Sequence, residues 1–560
     1  MRNFARVLGL GLIIVLLGTL AIGVVGAQDE VVLVLGVDQE PERLSPLNSL
    51  VQGGALEAFY ARNVWDWDTE RNVYPIMVEE IPSVENGMVT ENEAGNTVVT
   101  YKLREGMLWS DGEPITSADC EFGHLLYTDA STSANIGRAE YANSVESFEV
   151  IDDLTFNIVY NQPFPDYAAT EFANARCRYP NHVLRPILEA DGNIDQTSYF
   201  TDGEGVVGYG PYRLAEWNKG ESIVFEKNEF WDGQEPAIDR VIIRYIFETA
   251  QMQNAFATGE IDLTYLFADP QVPEYESVPG AVIWSVPAVL ADALWVNTTA
   301  PGHPALHDVR VREAIAYALD RPAMAEGIIG PGTQVPLSWY PPTLTFEGHP
   351  YREYNVERAN ELLDEAGWVD SNGSGTRDKD GVELVLRFYT TTRQDRMDYQ
   401  LLVQEYLNAV GIGTQPVATS ATILFGNFSA RGFFAAHDFD IALFANSARA
   451  LSPSGDPDTF SCASIGSAEN PDGFNGMSWC NPEYDELDAQ ISRTIDPEER
   501  AALVAEAQQL FYDGAFWHGL HLRKNNFAVN GDRWNADTFT EMGTLTNNFF
   551  QKVEFWEPAS

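Results

Sequence analysis

Near residue 308 the apolar residues of this chain change period, and that switch restricts the folds open to it. Ahead of it they alternate or run in short blocks, so 31–37, 98–103, 148–159 and the β-branched and aromatic 241–247 read as strands. Beyond it they recur at helical spacing: Val311, Ala314, Ile315, Ala318 and Leu319 make one buried stripe. Asn355 caps a helix carrying Val356, Ala359, Leu362, Leu363 and Ala366, which Gly367 stops. Tyr399, Leu402, Val403, Tyr406, Leu407 and Val410 repeat the pattern up to Gly411, and Asp496, Pro497 and Glu499 open a fourth helix that runs to Gly514. Strands at 382–389 and 439–444 fall between these helices, so 291–524 reads as an α/β domain. Residues 525–560 return to strand-like aromatic text at 549–556 and are expected to rejoin the first half. A chain of 560 residues exceeds one ordinary core, and two or three compact units are expected.

The N-terminus points to export. Arg2 and Arg6 precede an uncharged apolar run at 7–25, and Val25-Gly26-Ala27 supplies small residues for cleavage before Gln28, which predicts a signal peptide over 1–27. The apolar run approaches membrane-spanning length, so an uncleaved N-terminal anchor stays open. The protein is expected to be periplasmic, or at the cell surface and extracellular. With 34 basic against 83 acidic residues the net charge is −49, which repels nucleic acid and anionic lipid, and no nucleic-acid partner is expected. Cys120, Cys177, Cys462 and Cys480 lack Cys-x-x-Cys spacing, and two local disulfides, Cys120–Cys177 and Cys462–Cys480, are the simplest of the three connectivities.

Catalytic signatures are missing from the sequence: it holds no Gly-x-Ser-x-Gly elbow, no His-Glu-x-x-His and no phosphate-binding P-loop. Residues 203–208 match Gly-x-Gly-x-x-Gly, but Pro211 and a hairpin follow where a dinucleotide site needs a helix. His518 and His521 sit three apart in strand-like text, which puts them on opposite faces and suits no shared metal. Asp370, Asn372 and Ser374 resemble the start of a calcium loop, yet Gly381 stands where a bidentate Glu belongs, so a plain turn is expected and calcium is the weaker reading. No cofactor is expected. Carboxylates are too numerous to single out a catalytic pair, and an exported hydrolase using one is the alternative from a different class.

Five blocks in chain order carry a family resemblance. They are Leu44-Ser45-Pro46-Leu47; 100–106 with Trp109-Ser110-Asp111-Gly112-Glu113-Pro114 and on to Asp119; Gly208-Tyr209-Gly210-Pro211-Tyr212 with Trp217, Gly220, Asn228 and Trp231; Gly259-Glu260-Ile261-Asp262; and Asp308-Val309-Arg310-Val311-Arg312 running on to Asp320-Arg321. Together they resemble the family-5 extracellular solute-binding proteins of ABC importers, receptors for peptides, nickel chelates and some oligosaccharides. The resemblance implies an α/β, two-lobed periplasmic-binding-protein clamp of type II kind, with an extra β-rich subdomain in the first lobe. Lobe I would span 28–290 with that subdomain at about 52–200, lobe II 291–524, and 525–560 would return to lobe I. Crossings between the lobes are expected near 294–297 and 521–527, closing hinge-like over the ligand.

The same resemblance implies a monomeric, non-enzymatic receptor that captures a peptide or similar small polar oligomer and delivers it to an ABC permease in the membrane. An oligosaccharide receptor of the same family is the alternative. Peptide receptors of this kind often hold the ligand ammonium with an Asp just ahead of a Gly-Asp-Pro-Asp block; here the block begins at Gly455 and the matching position is Pro453. An Arg449 contact to a carboxylate, or aromatic stacking on a sugar, is equally compatible. The expected cleft residues are Val51, Gln52, Gly53, Tyr209, Trp295, Asn297, Asn446, Ser447, Arg449 and Asp456.

Overall fold

The computed structural model describes residues 30–560 apart from 42, 45–50, 68–71, 129–140, 142–143, 169–176, 192–193, 195–196, 341–350, 427, 448–456, 472 and 540–549. The expected signal segment, Arg449, Pro453 and Asp456 therefore lie outside the described residues.

A ten-stranded sheet runs through the molecule in the order Gly413–Thr419, Val385–Thr391, Ile441–Ser447, Ala281–Val296, Trp517–Asn530, Leu263–Phe267, Val32–Val37, Arg240–Tyr245, Ser222–Lys227 and Tyr212–Asn218. Its two central strands, of 16 and 14 residues, are antiparallel partners that belong to both lobes. One end of this pair, 281–287 with 524–530, lies beside the lobe I strands, and the other, 291–295 with 517–522, lies beside those of lobe II. Register shifts between Pro287 and Ala291, so the ladder is interrupted where one lobe gives way to the other. Proline suits that interruption because it has no N–H to donate.

Lobe I closes around Leu33, Leu35, Phe59, Phe225, Val241 and Phe527, and the C-terminal segment returns Phe550, Val553 and Trp556 to the same core. That segment is not a strand: it makes only a short turn at Val553–Phe555, and its aromatic spacing serves burial rather than pairing. The four-stranded sheet of the subdomain has the order Val89–Glu91, Thr97–Lys102, Thr155–Tyr160, Val145–Val150. The alternating run at 148–159 is thus a hairpin, reversed at a turn in which Asp152 Oδ1 accepts from the Leu154 amide. The Cys120–Cys177 disulfide links the helix Ser117–Thr128 to the chain entering the helix Asn181–Asp191.

In lobe II the sheet is covered on both faces. Helices Val309–Ala318, Val356–Glu365 and Gln394–Ala409 bury the apolar stripes seen in the sequence against Leu294, Leu386 and Leu443. Helices Pro482–Ile491 and Pro497–Gly514 cover the other face over an aromatic core that includes Trp295, Phe444, Phe460 and Trp517. The Cys462–Cys480 disulfide staples this side.

Candidate functional site

The sheet register locates the site. Val32–Val37 is parallel to Arg240–Tyr245 and Leu263–Phe267, and Val385–Thr391 is parallel to Gly413–Thr419 and Ile441–Ser447. Ser447 lies opposite Leu290, and Phe267 opposite Asn526. The carboxyl ends of both parallel sets therefore converge on the interrupted middle of the crossing pair. Open α/β sheets bind ligands in the crevice outside such strand ends. Asn526 ties the second crossing strand to this rim, its amide donating to Phe267 O and Asp269 Oδ1, both at 2.8 Å. Phe247, just past a lobe I strand end, is 59% exposed.

Beside the interruption is a charge cluster that sequence reading missed. Asp292 is fully buried and accepts from Arg396 Nε at 2.8 Å and Arg523 Nε at 2.7 Å, while His521 Nε2 stands 3.6 Å away. Burial alone would raise the Asp292 carboxyl, but Arg523, then His521 and Arg396, outweigh it and hold the group well below the usual carboxylate range. The His521 ring stacks on Tyr399 at 5.2 Å, and burial holds it below its ordinary value. Two guanidiniums thus meet one carboxylate. Arg523 Nη2 is buried without a hydrogen-bond partner among the described residues. The missed signal was a lone Asp within the apolar run 290–296, because a buried charge demands a partner.

The expected cleft residues fare differently. Tyr209, Trp295 and Asn297 lie in the interior, with their polar atoms bonded to protein. Tyr209 Oη donates to Asp232 at 2.8 Å and accepts from Arg104 Nη2 at 2.6 Å. Trp295 stacks on Phe444 at 4.7 Å and donates Nε1 to that residue's carbonyl. Asn297 Nδ2 donates to the carbonyls of His437 and Phe439. Val51, Gln52 and Gly53 form the first turn of the helix Val51–Tyr60, with side chains outside the described set. Asn446 and Ser447 end a lobe II strand, and Asn446 is half-buried at the convergence point.

The histidine expectation also changes. A bulge at Leu520, opposite the Asp292–Ala293 step, turns His518 and His521 toward the same face of the strand, where each meets different partners. The 370–375 loop is a turn: Asp370 accepts from the amides of Gly373, Ser374 and Gly375 at 2.7–3.0 Å, and no metal-ligand cluster occurs among the described residues. Residues 203–208 lead into the strand Tyr212–Asn218, so no helix N-terminus follows the glycines.

Several motifs of the family resemblance prove to be structural fastenings. A Cβ on Gly208 would lie 2.0 Å from Tyr60 O, and one on Gly210 2.6 Å from Phe59 O, so only glycine lets this turn press onto the helix end. Ser110 exchanges hydrogen bonds with Gly208, joining two of the motifs. Asp262 accepts from Val34 N at 2.8 Å and pairs with Arg533.

Residues 72–467 match the family of bacterial extracellular solute-binding proteins, family 5, in its middle region. The chain belongs to this family. It is 27% identical over 525 residues to Protein XP55 of Streptomyces lividans, covering 92% of this chain and 87% of that one. It is 25% identical over 408 residues to the oligopeptide-binding protein AppA of Bacillus subtilis, covering 70% of each. The structure of that AppA in complex with a nonapeptide superposes with a TM-score of 0.71 at 20% identity, over 95% of this chain and 100% of that one. The ABC transporter substrate-binding protein CtaP of Listeria monocytogenes gives 0.76 at 20% identity, over 95% and 100%. As a family-5 protein the chain is a substrate-binding receptor of an ABC importer, and the convergence of strand ends falls between its two lobes.

Proposed function

We propose that this receptor is exported through its N-terminal segment, binds without catalysing, and takes peptides or similar polar oligomers whose carboxylate is drawn to Arg523. The observation that carries this reading is the excess guanidinium at the crossing, with an unpartnered Nη2, in a chain where acidic residues outnumber basic ones 83 to 34. A fixed, partly desolvated guanidinium is well suited to a carboxylate, and its attraction is stronger there than in water. Oligopeptide binding by the AppA relative is in keeping with it. Asn446 and the 448–456 segment, with Arg449 and Asp456, are proposed as the opposite wall. Among the described residues no helix is long and apolar enough to cross a membrane.

Calorimetry with short peptides bearing a free or an amidated C-terminus tests the proposal. Amidation is expected to weaken binding at least tenfold, and Arg523→Gln is expected to erase the difference while Arg396 keeps Asp292 paired. Equal affinity for both peptides would remove the carboxylate anchor. Mass spectrometry of the recovered ligand separates binding from hydrolysis, since an intact ligand is expected and cleavage products would overturn the receptor reading.

A further inference from the structure

We infer that the Asp166–Arg500 ion pair is a latch between the lobes. It is made where the lobes meet and uses no ligand atom, so it sets the open–closed balance and scales the affinity for every ligand by one common factor. The inference rests on the two-lobed receptor and not on the identity of its ligand. Asp166 belongs to the subdomain of lobe I and Arg500 to the helix Pro497–Gly514 of lobe II, and Arg500 Nη2 donates to Asp166 Oδ1 at 2.5 Å. The pairs Arg178–Glu57, Arg62–Glu554 and Arg396–Asp292 each stay inside one lobe.

Each half of the latch is fixed by its own lobe. Ahead of Asp166, Phe164 stacks on Tyr160 at 4.3 Å and its amide donates to Thr97 Oγ1 at 2.9 Å; behind it, Tyr167 packs against the subdomain core. The short turn Pro165–Ala168 thus carries the carboxylate at a set place on the subdomain. Arg500 Nε donates to the Ile491 carbonyl at 2.9 Å, which ties the guanidinium to the end of the helix Pro482–Ile491 and leaves Nη2 to reach lobe I. Groups already oriented lose little freedom when they meet.

Burial makes the pair selective for the closed form. The side chains of Asp166 and Arg500 are 8% and 12% exposed, unlike the solvated surface pairs that contribute little. The helix itself does not call for a cation there: its N-terminal end favours negative charge, which Glu498 and Glu499 supply from the first turn. Among the described residues, the carboxylate in ion-pair contact with Arg500 comes instead from the other lobe. Opening the cleft parts the two charges and returns both to water. Closing it with one of them neutralised buries the other without compensation. Removing either charge therefore penalises the closed form alone. A receptor whose competent form is less populated binds every ligand more weakly in the same proportion.

Scattering and calorimetry on the full chain test the latch. Without ligand the wild type should hold open and closed molecules together, and Asp166→Asn and Arg500→Gln should each raise the radius of gyration. Each should weaken a short peptide and its C-terminally amidated form by one common factor, about fivefold or more. The two losses should not add: the double variant, with no charge left to bury alone, should bind at least as tightly as either single variant. Ligand-free radii identical in all four proteins, a wild type that scatters only as an opened molecule, or additive losses would overturn the latch. If neither peptide binds, the peptide reading falls while the ligand-free radii still decide the latch. If one single variant does not fold, the other against wild type carries the same test.

Discussion

Gly208 and Asp292 show two ways in which single residues hold this molecule together. At Gly208 the constraint is space, because the Tyr60 carbonyl occupies the volume a methyl group would need. Gly208→Ala is therefore expected to cost about 1–3 kcal/mol through forced backbone displacement, read as a lower denaturation midpoint. At Asp292 the constraint is charge. Asp292→Asn leaves Arg396 and Arg523 poorly compensated, and an expected loss of about 3–5 kcal/mol should appear in chemical denaturation. The sign of its pH dependence follows from the lowered carboxyl. The folded form binds fewer protons than the unfolded one, so this stability is present above the ordinary carboxylate range. It is lost as pH falls below about 4. A shallower acid slope in Asp292→Asn checks the assignment, and an unchanged slope would refute it. The glycine motif was legible because turn residues act locally. Asp292 was not, because its partners lie 104 and 231 residues away in sequence.

Helices were the most readable elements. The stripes of Val309–Ala318 and Val356–Glu365 bury the residues their spacing indicated, and Asn355 caps the second by accepting from the Arg358 amide at 2.9 Å. The aromatic text at 549–556 misled, since Phe550, Val553 and Trp556 suit a core-facing turn as well as a strand. Both disulfides follow the local pairing. The Cys462–Cys480 bond closes a loop of separation 18, next to Trp479 and Tyr484 in the aromatic core. Replacing both cysteines by serine should destabilise lobe II by about 3 kcal/mol, the loop-closure entropy regained by the unfolded chain. Thermal unfolding of the double variant measures it, and an unchanged transition would mean that packing around Trp479 alone fixes the loop.

At the scale of the whole molecule, the change of period near 308 announced a strand-rich half and a helix-rich half but could not reveal how they join. Joining is a matter of long-range pairing, in which Ala281 meets Asn530 and Trp295 meets Trp517, and such register has no local signature. Once paired, the two strands make the mechanics specific. Their ladder has its widest gap around 287–291 and 522–524, with a single-residue bulge at Leu520 beyond it, so bending between the lobes is expected to concentrate at the gap. Ligand bound between the lobes adds contacts to the closed form alone and shifts the population toward it by that differential affinity. Solution scattering should therefore show a smaller radius of gyration on adding a bound peptide. Within the crossing pair, hydrogen exchange should slow most at 287–291 and 522–524, where the two strands do not pair. Slowing spread evenly over both lobes, with no compaction, would indicate stiffening without hinge motion and would place the moving part somewhere other than the strand crossing.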